Sequence, residues 1–313
     1  MVIAVANQKG GCSKTTTAVN LATALAKGDP ENGFKPSKVL LVDLDPQGNA
    51  STSFGIDKST LKRTVYDLLM NDLGEELPII EDYLIGPEVI TDSMRTTWEN
   101  QHVGKRVPAS LKVENLWLLP SNIQLSGAQI ELAMKIGRET RLKEGLAPAI
   151  DAFDYIIIDC PPSLGLLTIN AMAAANWMMI PVQTEYYALE GMSQLMNSIK
   201  MIQKRINPNL KLFGIALTMY QKSKLCNTVV DEVRKYFGRQ VFQTVIPRNI
   251  DIASAPLDGA PITILKRPTR SNKGSQQYWA LAREAHKRVE EIHTRYGIKE
   301  PDRLRMDKIA QAD

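Results

Sequence analysis

The chain has 313 residues, 44% of them hydrophobic, 23% charged and 6% aromatic, a composition that excludes fibrous and disordered proteins and suits one large α/β domain with embellishments. Cys12, Cys160 and Cys226 are too few and too far apart for a disulfide framework or a CxxC zinc pair, which points to a reducing, cytoplasmic setting. The charge is uneven: residues 261–313 hold 12 Lys and Arg against 7 Asp and Glu, a surplus that fits either a polyanion partner or a solvated helix.

Met1 leads straight into the apolar run 2–6 without a basic segment, so no signal peptide is expected. Residues 2–6, 38–43, 116–119, 155–159, 177–182, 212–218 and 241–246 are predicted as buried strands, because they are apolar, often β-branched, and end at Gly, Pro or polar residues. Helical patterns cover 15–27, 123–149, 189–206 and 228–237. Strand–helix alternation predicts a doubly wound, mostly parallel sheet with helices on both faces. The richest apolar run, 171–182, is broken by Asn176 and is too short to span a bilayer. The expected organisation is one domain over 1–290, with an insertion at about 77–108 carrying short helices of its own, and a polar tail over 291–313.

The segment Gln8-Lys9-Gly10-Gly11-Cys12-Ser13-Lys14-Thr15-Thr16 follows the first strand and opens the first helix. Glycines let successive N–H groups face a phosphate, the helix N-terminus adds positive potential, Lys14 can reach the β/γ-phosphates, and the Thr15 hydroxyl can hold Mg²⁺. Gln8 and Ser13 stand where the general P-loop pattern has glycines, so the match to that pattern is poor. Two acidic boxes end later strands: Asp43-Leu44-Asp45-Pro46-Gln47-Gly48-Asn49 and Ile158-Asp159-Cys160-Pro161-Pro162. Ligands of open α/β sheets lie at such strand ends.

KGGxxKT resembles the deviant Walker A box of the ParA/MinD superfamily. The acidic boxes, Leu116-Trp117-Leu118-Leu119-Pro120-Ser121, the 181–191 segment PVQTEYYALEG, Leu217-Thr218-Met219-Tyr220 and Ile246-Pro247-Arg248-Asn249 continue the resemblance in order. Together they look like the short, Soj-like branch of ParA partition ATPases, over most of residues 1–290.

The resemblance implies an ATPase with ATP and Mg²⁺ as cofactors. Lys14 and the amides of Gly10, Gly11, Cys12, Ser13, Thr15 and Thr16 would bind phosphates. Thr15, Asp43 and Asp159 would serve the metal, and Asp45 would orient the attacking water. Lys9 would be the signature lysine that crosses a dimer interface to the second copy's nucleotide. Met219, Pro247 and Asn249 would form the adenine pocket. Cys12-Ser13 departs from the family's usual Val/Ile-Gly/Ala, so slow hydrolysis is expected from Ser13, and Cys12 is read as a small residue that fits rather than an oxidisable thiol.

The resemblance further implies an ATP-bound homodimer that binds DNA without sequence preference, associates with the nucleoid, and works with a ParB-like centromere-binding adaptor that stimulates hydrolysis. Sequence-blind binding needs Lys and Arg aimed at phosphates. The candidates are Lys222, Lys224, Arg248, Lys266, Arg267, Arg270 and Lys273. Alternative cargoes are a carboxysome or a chemoreceptor cluster. A MinD-like division regulator would need an amphipathic membrane anchor, which residues 299–313 do not resemble, and an iron–sulfur carrier would need paired thiolates.

Overall fold

In the computed structural model, which describes residues 1–71, 78–186 and 188–295, all seven predicted strands form. Along the chain run β1 (Val2–Val5), α1 (Lys14–Lys27), β2 (Val39–Asp43), α2 (Asn49–Thr52), α3 (Val65–Met70), α4 (Pro87–Gln101) and β3 (Leu116–Leu119). There follow α5 (Leu125–Ala133), α6 (Arg141–Leu146), β4 (Tyr155–Asp159), α7 (Leu166–Ala174), β5 (Trp177–Gln183), α8 (Ala188–Arg205) and β6 (Lys211–Tyr220). The described chain ends with α9 (Lys224–Phe237), β7 (Val241–Pro247), α10 (Ile250–Ser254), α11 (Ile262–Leu265) and α12 (Lys273–Arg295).

The strands make one sheet in the order β3-β2-β4-β1-β5-β6-β7, and every pairing is parallel. Such a sheet is covered on both sides, which is why β2 is apolar at consecutive positions. Val39 and Leu41 enter one core with α1, α4, α11 and α12; Leu40 and Val42 enter the other with α3, α5, α6, α7, α8 and α9. From β1 the chain passes over β4 to β2, and from β4 it passes over β1 to β5. The topological switch therefore falls beside β1 and β4, where an open α/β sheet places its ligand.

Three expectations are corrected. The helix predicted over 123–149 is interrupted between α5 and α6, where Gly137 turns left-handed (φ 68°) and its carbonyl accepts the N–H of Thr140 at 2.8 Å. The stretch predicted as an insertion at about 77–108 is built into the core: Ile90 and Met94 of α4 are buried, and Ile85 bridges antiparallel to Leu118. Thr97 of α4 lies so close to Gly55 and Gly259 that a Cβ on either glycine would sit within 2.5 Å of its side chain. Third, α12 continues past the expected boundary at 290 to Arg295. Residue 77, Tyr187 of the PVQTEYYALEG box, and residues 296–313 of the expected tail lie outside the described residues.

The basic surplus of the last segment is also divided. Arg283 pairs with Asp29 at 2.7 Å. Arg288 lies 3.9 Å from the ring centroid of Phe242 and donates to the carbonyls of Phe213 (2.9 Å), Arg239 (3.2 Å), Gln240 (3.2 Å) and Val241 (3.0 Å). Arg288 thus ties α12 to β6 and β7, and Arg283 ties it to the loop after α1, rather than both forming a solvated face.

Candidate nucleotide site

Because β2, β4 and β1 are neighbours, their carboxyl ends bring the two acidic boxes beside the glycine-rich loop. Asp43 and Asp159 are register partners across β2 and β4, and both are fully buried. Asp43 Oδ1 accepts the N–H of Asp45 at 3.2 Å and Oδ2 accepts the N–H of Ala50 at 3.1 Å, so this carboxylate organises the loop that carries Asp45 and the start of α2. Asp45 is buried in turn, and its Oδ1 accepts the N–H of Gln47 at 3.0 Å.

Asp159 differs. Neither of its buried oxygens has a hydrogen-bond partner; the Thr15 hydroxyl is near enough to favour the charged form but makes no well-formed bond. Burial, and then the charge of Asp43, push the Asp159 carboxyl well above the usual carboxylate range. Burial likewise raises Asp43 to about 7, with Asp45 adding to the rise. Buried polar atoms are ordinarily satisfied, so an orphaned carboxylate beside a threonine hydroxyl fits a hard, oxygen-seeking cation.

The loop that faces these acids is fastened by its carbonyls. Lys14 Nζ donates to the carbonyl of Lys9 (3.0 Å), Gln183 Nε2 to that of Gly11 (2.5 Å), and the Thr218 hydroxyl to that of Cys12 (3.2 Å). With these carbonyls tied to the protein, the loop's N–H groups are available for an anion. Asn7 adds a further brace, donating to Pro181 O at 2.6 Å while its Oδ1 accepts the N–H of Lys9 at 3.1 Å. Ser13 caps α1 with a left-handed φ of 67° and makes no side-chain cap bond, so a β-carbon sits where glycine would be relaxed. Cys12 is fully buried and burial raises its thiol pKa, in keeping with a small residue that fits.

Lys14 is buried at the loop, but Lys9 is half exposed and its Nζ lies 2.5 Å from Glu185 Oε2 of the same chain. On the far side of β1, Met219 and Pro247 stand at the ends of β6 and β7, where Tyr220 is in register with Pro247. Met219 is a left-handed kink (φ 54°) within β6. The Asn249 side-chain oxygen accepts the N–H groups of Asp251 (2.8 Å) and Ile252 (3.3 Å), capping α10, which leaves its amide N–H₂ for other partners.

The proposed DNA-facing cations fall in one neighbourhood. Lys222 and Lys224 follow β6, the Arg248 N–H bonds Tyr220 O at 2.9 Å, and the start of α12 at Gly274 packs against Ile252 and Asn249. Lys222, Lys224, Arg248, Arg267, Arg270 and Lys273 are exposed. Lys266 is partly buried and pairs with Asp251 at 2.6 Å. Gln183, Glu185, Thr218 and Asn7 carry no role in the sequence reading. Gln183, Glu185 and Thr218 lie inside the quoted boxes, yet only the strand order reveals what they touch.

A parallel sheet with a helix-opening glycine loop, an adjacent lysine pair and two buried strand-end aspartates defines a P-loop nucleoside-triphosphatase of the deviant type. The family model described as "AAA domain" matches residues 1–212. The chain is 45% identical over 284 residues to the sporulation initiation inhibitor protein Soj of Bacillus subtilis, covering 90% of this chain and 97% of that protein. It is 42% identical over 288 residues to the chromosome partitioning protein ParA of Myxococcus xanthus, covering 92% and 88%. Among solved structures, cobyrinic acid a,c-diamide synthase from Mycobacterium smegmatis with bound ATP analogue and magnesium superposes with a TM-score of 0.69 at 33% identity, over 95% of this chain and 96% of that one. The chain belongs to the Soj/ParA family of chromosome-partitioning ATPases.

Proposed function

We propose that this protein is an ATP- and Mg²⁺-dependent switch that dimerises when ATP is bound, holds nucleoid DNA without sequence preference, and partitions a chromosome or plasmid with a ParB-like adaptor that stimulates hydrolysis. The observation that carries the reading is the orphaned, buried Asp159 carboxylate beside Thr15 and the fastened loop. Asp159 and Thr15 would hold the metal, which would supply positive charge for the phosphate oxygens. Asp43 fixes the Asp45 loop, and Asp45 orients the attacking water. Lys14 and the amides of residues 10–16 bind phosphates, and Lys9 supplies charge to the second copy's nucleotide. Met219, Pro247 and the free amide of Asn249 receive the base.

DNA binding is attributed to Lys222, Lys224, Arg248, Arg267, Arg270 and Lys273, with Lys266 set partly aside by Asp251. Among the described residues no helix is long and apolar enough to cross a membrane. The test is a DNA gel shift with ATP, ADP and no nucleotide, run beside ATP turnover of the wild type, Lys14→Ala and Asp45→Ala. DNA binding with ATP only, weakening steeply with salt, and turnover lost in both variants are expected. Equal turnover in all three proteins, or DNA binding indifferent to nucleotide, would overturn the reading.

A further inference from the structure

Two left-handed glycines close the segments that carry Asp45 and Asn249. Gly55 (φ 67°) ends the turn after α2, its N–H donating to Thr52 O at 3.0 Å and the next N–H, of Ile56, to Ser51 O at 3.1 Å. α2 itself starts just past Asp45, whose carbonyl accepts the N–H of Gly48 at 2.9 Å, and its Ala50 N–H is held by Asp43. Gly259 (φ 67°) ends the 3₁₀ turn Ala255–Asp258, its N–H donating to Pro256 O at 3.1 Å. That turn runs on directly from α10, which Asn249 caps. Thr97 of α4 stands between the two glycines. A β-carbon on Gly55 would strike its Oγ1 and lie 2.9 Å from Ser93 O, one turn back on α4. A β-carbon on Gly259 would lie 2.5 Å from both the Cβ and the Cγ2 of Thr97. The hydroxyl therefore faces Gly55, to whose carbonyl it donates at 3.4 Å, and the methyl faces Gly259. α4 meets the 3₁₀ turn a second time through His102, which stacks on Trp98 with ring centroids 3.7 Å apart and places Nε2 3.7 Å from Asp258 Oδ1.

We propose that Thr97 is a positioning residue for ATP hydrolysis: wedged between Gly55 and Gly259, it makes the seating of the base at Asn249 set the place of the Asp45 loop. The base then contributes to the rate of hydrolysis and not only to binding. The inference rests on the proposed roles of Asn249 at the base and Asp45 at the attacking water. Close-packed groups pass a displacement on rather than absorb it, and each segment is a run of tight turns with little slack. A catalytic group misplaced by about 1 Å can cost about 100-fold in rate, so a small gap at either glycine is enough to separate the two events. Thr97→Ser keeps the hydroxyl towards Gly55 and opens a methyl-sized gap at Gly259. Thr97→Val keeps both faces filled.

The experiment is steady-state phosphate release by the full chain with Mg²⁺, comparing ATP with ribose 5′-triphosphate, which lacks the base, for wild type, Thr97→Ser and Thr97→Val. In the wild type, kcat for ATP is expected to exceed kcat for ribose 5′-triphosphate by up to about 100-fold. In Thr97→Ser the two kcat values should converge through loss of the ATP rate, while the KM difference between the substrates and the binding of AMPPNP persist. Thr97→Val should restore the wild-type ratio. A merely structural role would lower both rates together, so a wild-type kcat ratio in Thr97→Ser overturns the proposal, as does a ratio that Thr97→Val fails to restore. Equal KM and equal kcat for the two substrates in the wild type overturn instead the reading of the base site, and the coupling with it. Turnover unchanged in Asp45→Ala would do the same for the role of Asp45.

Discussion

Asp43 and Asp159 stand opposite each other on adjacent parallel strands, both buried, yet one has both oxygens bonded to backbone amides and the other has neither bonded. The first positions a loop, and the second is the carboxylate to which the proposed function assigns the metal. Two carboxyls this close, far from water, cannot both ionise cheaply without a cation.

This juxtaposition sets a pH dependence. In the unfolded chain both groups release their protons near the ordinary value of 3.8; in the fold Asp43 does so at about 7 and Asp159 well above 3.8. The folded chain binds more protons between about 4 and 7, so this contribution to stability is complete below about 4 and lost as pH rises through about 7. Urea unfolding without nucleotide is expected to show stability falling across that window. Asp159→Asn should flatten the slope and stabilise the nucleotide-free protein at pH 8, while weakening Mg²⁺–ADP binding. A variant with the wild-type slope would count against the assignment.

Asp45 sits on a loop that Asp43 organises, and its own carboxylate accepts the N–H of Gln47 rather than bonding the glycine-rich loop. Asp45→Ala should lower ATP turnover by about 100-fold or more while AMPPNP binding persists. Calorimetry beside phosphate release separates the two, and loss of nucleotide binding would assign Asp45 a structural role instead.

Ser13 has a left-handed backbone and no capping bond. Ser13→Gly should stabilise the nucleotide-free protein by up to about 1 kcal/mol, or about 2 °C in Tm, whereas Ser13→Ala keeps the β-carbon and gains nothing. Equal melting of all three would show that the loop is not strained. If Ser13 slows hydrolysis, Ser13→Gly also raises turnover.

Arg267 and Arg270 are exposed, whereas Arg288 is built into the fold. Arg267→Ala with Arg270→Ala should leave stability within about 0.5 kcal/mol and reduce the salt slope of ATP-dependent DNA binding by about two. An unchanged slope would move the DNA surface elsewhere.

Arg288→Ala should destabilise by roughly 2–4 kcal/mol, since four backbone carbonyls lose their donor and Phe242 loses its cation. A cost below about 0.5 kcal/mol in urea unfolding would mean that water replaces it freely.

By itself the sequence determined the seven strands, the α/β class and the chemical residues of the glycine loop and acidic boxes. Those signals are local: a buried parallel strand is apolar along its length, and a phosphate loop needs its glycines, lysine and threonine consecutively. Tertiary structure alone decided what meets what. The order β2-β4-β1-β5-β6-β7 lines up strand ends far apart in the chain, bringing Glu185 to Lys9 across 176 residues and Thr218 to Cys12 across 206. It also turned Arg283 and Arg288 from solvated charges into fasteners, and drew α4 from an expected insertion into the core. A hydrogen-bond partner on another strand leaves no periodic mark in the sequence, because its identity depends on which strand lies beside which.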